Sequence, residues 1–210
     1  MEFRDYFLEQ VRLHPAMEAQ DAVCSPFIRL FPLLQAIARM PRENRIVALD
    51  GRCASGKTTL AEQLADITGA GVVHMDDFFL PPSLRRPERL AEPGGNVHHE
   101  RFIEEVLPAL KSPGAFRYQC FDCSRMEPGA EREVREGNLR IVEGAYSCHP
   151  VFGEYMGLRV FCDVEPQEQL KRIEQRNGVE MLENFREKWI PMEEQYIRHF
   201  QIRERADLVL

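Results

Sequence analysis

The sequence predicts an α/β fold: a five-stranded parallel sheet covered by helices on both faces, preceded by a short helical N-terminal extension. Two observations carry that prediction. Short apolar runs, continuous rather than alternating, recur along the 210 residues with helix-period segments between them, which is the pattern of parallel strands buried on both faces. A glycine-bearing octet, Gly51-Arg52-Cys53-Ala54-Ser55-Gly56-Lys57-Thr58, stands between the first of these runs and the helical segment that follows it.

Taken in order, the first forty residues read as two helices, about Glu2–Leu13 and Pro26–Arg39, and residues 1–42 form the extension ahead of a main domain at 43–210. Arg45 to Asp50 reads as the first strand, and the helix after the octet begins near Thr59 and stops at Gly69, a residue suited to the left-handed turn past a helix end. Gly71 to Met75 is a second strand, ending at Asp76-Asp77. The stretch from Phe79 to Pro113 is irregular, with Pro81-Pro82, Arg85-Arg86-Pro87 and Pro93-Gly94-Gly95 ahead of a helix from about Glu100 to Leu110, and Pro113 to Glu136 reads as a turn-rich loop. Arg140 to Val142, closing on Glu143-Gly144, makes a third strand, Leu158 to Val164 a fourth and Ala206 to Leu210 a fifth. Pro166 opens a helix that Asn177-Gly178 ends, and a longer helical pattern runs from about Glu180 to Arg205 with a bend expected at Pro191.

The octet is a Gly, four residues, then Gly-Lys-Thr, and it has the strand before it and the helix after it that a phosphate-binding loop requires. The fold class is therefore that of a P-loop NTPase. Glycines let backbone N–H groups turn inward around phosphate oxygens, and the helix N-terminus adds partial positive charge. Gly51, Ala54, Ser55, Gly56, Lys57, Thr58 and Thr59 are the expected nucleotide contacts. Lys57 would reach the outer phosphates, and the Thr58 hydroxyl would ligate Mg²⁺. ATP and Mg²⁺ are the cofactors this motif calls for.

Composition excludes several partners. Hydrophobic residues make up 44% and charged residues 29%, an ordinary globular balance, and the net charge of −7 is the wrong sign for a general nucleic-acid binder. No apolar run reaches the roughly 18 residues of a membrane helix, and Met1-Glu2-Phe3-Arg4-Asp5 lacks the layout of a signal peptide. A cytoplasmic protein acting on a small molecule is expected, without nucleic-acid or membrane partners; self-association into a homo-oligomer stays open. Of the six cysteines, Cys120 and Cys123 form a C-x-x-C with Cys148-His149 downstream. Adjacent Cys and His make a poor second ligand pair for zinc, and reduced thiols are the expected state.

Parallel sheets collect ligands at the carboxyl ends of their strands, where Asp76, Glu143 and the octet all fall. A carboxylate beside a phosphate loop can take the proton of a substrate hydroxyl or order a metal-bound water, so Asp76 is the candidate base and, with Thr58 and Glu143, a candidate Mg²⁺ ligand. Asp77 is expected to cap a helix or face solvent. Arg172 and Arg176 share a helical face at a spacing of four, suited to a lid over phosphates. Arg85, Arg86 and Arg89 are expected to be solvated.

Val47-Ala48-Leu49-Asp50-Gly51 through Leu60, then Val73-His74-Met75-Asp76-Asp77-Phe78-Phe79-Leu80-Pro81, then Ile141-Val142-Glu143-Gly144, resemble the uridine kinase and nicotinamide riboside kinase family of P-loop kinases; Ala206-Asp207-Leu208-Val209 is similar to that family's last strand. The resemblance covers about residues 45 to 210 and implies transfer of the ATP γ-phosphoryl group to a hydroxyl of a nucleoside-like small molecule. It implies Asp76 as base, Lys57, Thr58 and Glu143 around the triphosphate and metal, and Arg172 and Arg176 in the lid. On the acceptor side it implies Phe79, His98, Asp122 and Arg125. The family's ribose-binding Asn-Phe-Asp-His-Pro-Asp stretch is here Asn96-Val97-His98-His99-Glu100, and its Tyr-Asp-Phe is Phe121-Asp122-Cys123. A histidine cannot accept from two hydroxyls as a carboxylate does, so uridine is expected to be a poor acceptor. The alternative reading is a nucleotide-binding regulatory module with little turnover, its N-terminal helices contacting a partner.

Overall fold

A computed structural model describes residues 27–210; the helix expected at Glu2–Leu13 and Cys24 lie outside them. Five strands form the main sheet: β1 (Ile46–Gly51), β2 (Gly71–His74), β5 (Arg140–Glu143), β6 (Leu158–Cys162) and β7 (Leu208–Val209), in the order β2-β5-β1-β6-β7. Every pairing in it is parallel. The five expected strands are all present, the last two shorter than the apolar runs that signalled them.

Alternate residues of each strand go to opposite faces. Ile46 and Ala48 of β1, Val142 and Phe161 join Phe78, Phe102, Tyr118 and Tyr196 in one buried cluster. Val47, Leu49, Ile141 and Val160 join the other, with Leu60 and Leu64 of α2 (Lys57–Thr68) and Leu33 and Ile37 of α1 (Phe27–Arg39). The helix expected near residues 26–39 thus packs on the sheet itself.

The segment expected to be a turn-rich loop is instead an antiparallel hairpin, β3 (Phe116–Asp122) and β4 (Glu127–Val134). Its face residues Tyr118, Phe121 and Val134 are buried, while the strands otherwise carry charged residues that mask the alternation in the sequence. The helix expected from Glu100 is longer by a residue and distorted: His99–Arg101, a π-helical turn at Phe102–Val106, then Leu107–Leu110. After β6 come α3 (Pro166–Asn177), α4 (Val179–Asn184), a π-helical turn at Phe185–Trp189 and α5 (Ile190–Phe200). Pro191 sits in the first turn of α5, directly after that π turn, where its missing N–H is tolerated. No helix among the described residues is long and apolar enough to cross a membrane.

Candidate active site

Gly51 ends β1 with φ of 129°, and a Cβ there would lie 2.1 Å from the Cys162 carbonyl oxygen of β6, so only glycine lets the chain leave the sheet here. The loop then turns into α2, whose N-cap is Gly56 in the left-handed conformation. Behind it Asp50, 1% exposed, accepts four hydrogen bonds: from the Gly51 and Tyr146 N–H at 2.6 and 3.1 Å, and from the Cys148 N–H and Tyr196 hydroxyl at 2.8 and 2.7 Å. One carboxylate thereby ties the loop to the segment after β5 and to α5.

A cavity of about 520 Å³ opens above the loop, and Ala54, Gly56, Lys57, Thr58 and Thr59 line it. Gly51 and Ser55 lie beneath, Ser55 fully buried. Lys57 is also buried, and its ammonium donates to the Gly51 and Arg52 carbonyls at 2.9 and 2.8 Å. Arg52 clamps the loop from outside through Glu194 and Asp163.

The acidic wall holds Asp76 and Glu143, both lining the cavity. Asp76 lies in a 3₁₀ turn (Met75–Phe78) directly after β2 and is exposed toward the cavity. Protein surrounds its carboxyl closely enough that burial pushes its pKa up, and the neighbouring Glu143 charge pushes it further. Glu143, at the end of β5, accepts from the Thr58 hydroxyl at 3.2 and 3.3 Å and meets His74 Nδ1 at 2.6 Å. Two carboxylates in one cavity wall, with a hydroxyl against one of them, form a set of hard oxygen donors that fits Mg²⁺ completed by water and phosphate oxygens. Among the described residues no three His, Cys, Asp or Glu are grouped to hold a metal by themselves, the cysteines Cys120, Cys123 and Cys148 included.

Asp77 corrects its expectation. It is 8% exposed, accepts from the Tyr118 hydroxyl at 2.7 Å and pairs with Arg132 at 3.0 Å, anchoring the β3–β4 hairpin to the 3₁₀ turn.

Arg172 and Arg176 of α3 both line the cavity. Arg172 is held by Glu168 Oε1 at 2.8 Å and donates to the Ala54 carbonyl at 3.2 Å, while Arg176 donates to Asn177 Oδ1 at 2.8 Å.

The acceptor side differs most from expectation. Phe79 lines the cavity, its ring 6.4 Å from that of Trp189. His98, Asp122 and Arg125 do not line it. His98 caps the helical run after it, its Nδ1 accepting from the Arg101 N–H at 3.2 Å. Asp122 closes the hairpin turn, accepting from the Ser124 N–H and hydroxyl and the Arg125 N–H at 2.8, 2.6 and 3.2 Å. Arg125 projects to solvent and pairs with Glu127 at 2.7 Å. In their place stand Arg85, Cys123, Met126 and Trp189. Arg85 is half-buried rather than solvated, its Nε donating to the Leu80 carbonyl at 2.8 Å.

Glu193 of α5 was not foreseen at all. It lines the cavity and its Oε2 accepts the loop's Cys53 N–H at 2.8 Å; burial pushes its pKa up to about 7 against the pull of Lys57. The available signal was the spacing of three between Glu193 and Tyr196 on one helix, which turns both toward the loop.

A parallel sheet whose first strand runs through a glycine loop into a helix is the P-loop NTPase fold. No protein-family model matches the chain, and no curated protein matches it in sequence. Solved structures do. The "possible uridine kinase" of Bacillus stearothermophilus superposes with a TM-score of 0.65 at 20% identity, over 87% of this chain and 97% of that one. The "putative fructose transport system kinase" of Silicibacter sp. TM1040 gives 0.67 at 25%, over 86% and 98%. YFH7 from Saccharomyces cerevisiae, described as "a putative P-loop containing kinase with a circular permutation", gives 0.55 at 14%, over 86% and 96%. The neighbours are thus uridine kinase-like and other P-loop kinases, and this chain has their fold.

Proposed function

We propose that the protein is an ATP- and Mg²⁺-dependent kinase that transfers the γ-phosphoryl group to a hydroxyl of a small, nucleoside-sized acceptor. The observation that carries this reading is Asp76, a carboxyl of raised pKa lining the same cavity as the phosphate loop. A motor or switch that hydrolyses nucleotide needs no second compartment, whereas this cavity extends past the loop to Phe79, Arg85 and Trp189.

In the proposed step the acceptor oxygen attacks the γ-phosphorus in line. Its proton passes to Asp76, and the bond from the γ-phosphorus to the β-bridging oxygen breaks, releasing ADP. Lys57 leaves its two loop carbonyls for the phosphates, and the loop N–H groups and α2 N-terminus hold the chain of phosphates. Thr58, Glu143 and Asp76 would hold Mg²⁺, which supplies charge neutralisation of the outer phosphates when bound. Arg172 and Arg176 stand where they can close over the transferring group. The test is an acceptor screen over nucleosides, vitamins, sugars and hydroxy acids, read by ADP release. ADP formation that depends on one acceptor class is expected; ATP binding with no acceptor-dependent turnover for any class would favour the regulatory-module reading.

A further inference from the structure

Building on the kinase reading, we propose that the acceptor carries an anionic group, a carboxylate or phosphate, which the Arg85 guanidinium receives beside Asp76. The wall on that side is built from two extended segments. Phe79 bridges to Val97, the Leu80 N–H donates to the Asn96 carbonyl at 2.9 Å, and the His98 N–H donates to the Phe78 carbonyl at 2.6 Å. Arg85 comes back onto this ladder from the Pro82–Leu84 turn, its Nε fixed on the Leu80 carbonyl at 2.8 Å.

Fixing Nε leaves the two terminal nitrogens as the working donors of a side chain that lines the cavity. Among the described residues no carboxylate pairs with them. The neighbouring cations are committed: Arg89 to Glu100, the Gly95 carbonyl and the Val97 carbonyl, and Arg101 to Glu105 and Phe78. Lys57 and Arg172 serve the loop. The terminal nitrogens of a guanidinium held only through Nε offer an anion the bidentate contact its fork is shaped for. Asp76, Arg85 and the Cys123 thiol of the opposing hairpin turn all line one cavity, so base and guanidinium open into the same compartment. Phe79 and Trp189 beside them give the rest of the acceptor an apolar seat.

Trp189 is the chain's single tryptophan, so its emission reports on this compartment alone. The full-length protein, with Mg²⁺ and a non-hydrolysable ATP analogue, is titrated with matched compounds: glycerate and glycerol 3-phosphate against glycerol, and pantothenate against panthenol. At least one anionic member should bind tenfold or more tightly than its neutral counterpart, with the carboxylate and phosphate arms telling the two anions apart. Arg85→Met should remove that preference, Arg85→Lys should keep part of it, and the affinity for the ATP analogue should stay within twofold. No preference in any pair, a preference that survives Arg85→Met, or an equal loss of ATP-analogue affinity would overturn the proposal. ADP release on the same compounds separates this from the kinase reading. Anions bound through Arg85 without turnover would sink the kinase reading alone, and turnover of neutral members equal to that of their anionic partners would sink the Arg85 assignment alone.

Discussion

Removing the Asp50 carboxylate should be among the most damaging single changes available. Asp50→Ala leaves four buried donors without an acceptor: the Gly51, Tyr146 and Cys148 N–H groups and the Tyr196 hydroxyl. A stranded buried donor costs on the order of 1–3 kcal/mol. Part of that is offset because burial already penalises the Asp50 charge, raising its pKa, so a net loss of about 4 kcal/mol is expected, out of a total near 5–15 kcal/mol. For a domain of this size that is a fall of roughly 8–16 °C in Tm. Asp50→Asn should cost about half as much, since the Tyr196 hydroxyl can reverse to accept from the new amide while one backbone N–H loses its acceptor. Urea unfolding at pH 7 and a thermal melt followed by circular dichroism read both variants. An Asp50→Ala protein that melts within about 3 °C of the parent would refute the view that this carboxylate holds loop, sheet and α5 together.

The adjacent acids should separate by readout. Asp76→Asn should slow phosphoryl transfer by about 10² or more with ATP affinity kept, whereas Asp77→Asn should chiefly lower Tm by loosening Tyr118 and Arg132, and the reverse assignment would show the wrong base was chosen. Lys57→Ala should abolish turnover; near-normal kcat at saturating ATP would remove the loop from the mechanism. Glu193 titrates near 7 in the folded chain against 4.5 unfolded, so the folded state holds the extra proton and stability falls as pH rises from about 4.5 through 7. Glu193→Gln should therefore stabilise by roughly 2–3 kcal/mol at pH 8 and by little at pH 4.5, and urea midpoints showing an equal gain at both would contradict the raised pKa.

The sheet was legible because buried parallel strands are written as unbroken apolar runs, and the phosphate loop because glycine spacing and a following helix leave a local signature. Asp76 and Glu143 were singled out by adjacency to those strands, and Phe79 by the family resemblance; all three line the cavity. The acceptor side was not, because it is assembled from distant segments. His98 and Asp122 sit in strings that resemble a binding motif, yet the backbone spends them on a helix cap and an Asx turn. Arg85 looked like one solvated arginine among three, and only the ladder formed by residues 79–80 and 96–98 turns it inward. The hairpin was hidden by charged residues on an exposed face, and Asp77 became structural only through Tyr118 and Arg132 on that hairpin. Glu193 reaches Cys53 from 140 residues away, a contact no local pattern encodes.

The most direct test of the kinase reading follows the γ-phosphoryl group itself. The parent protein and Asp76→Asn are incubated with γ-labelled ATP, Mg²⁺ and an acceptor found by the screen, and the label is traced into the acceptor. One labelled phosphomonoester is expected from the parent, and from Asp76→Asn a rate lower by about 10² or more at unchanged ATP affinity. Label recovered only as inorganic phosphate, or transfer at the parent's rate in Asp76→Asn, would contradict it.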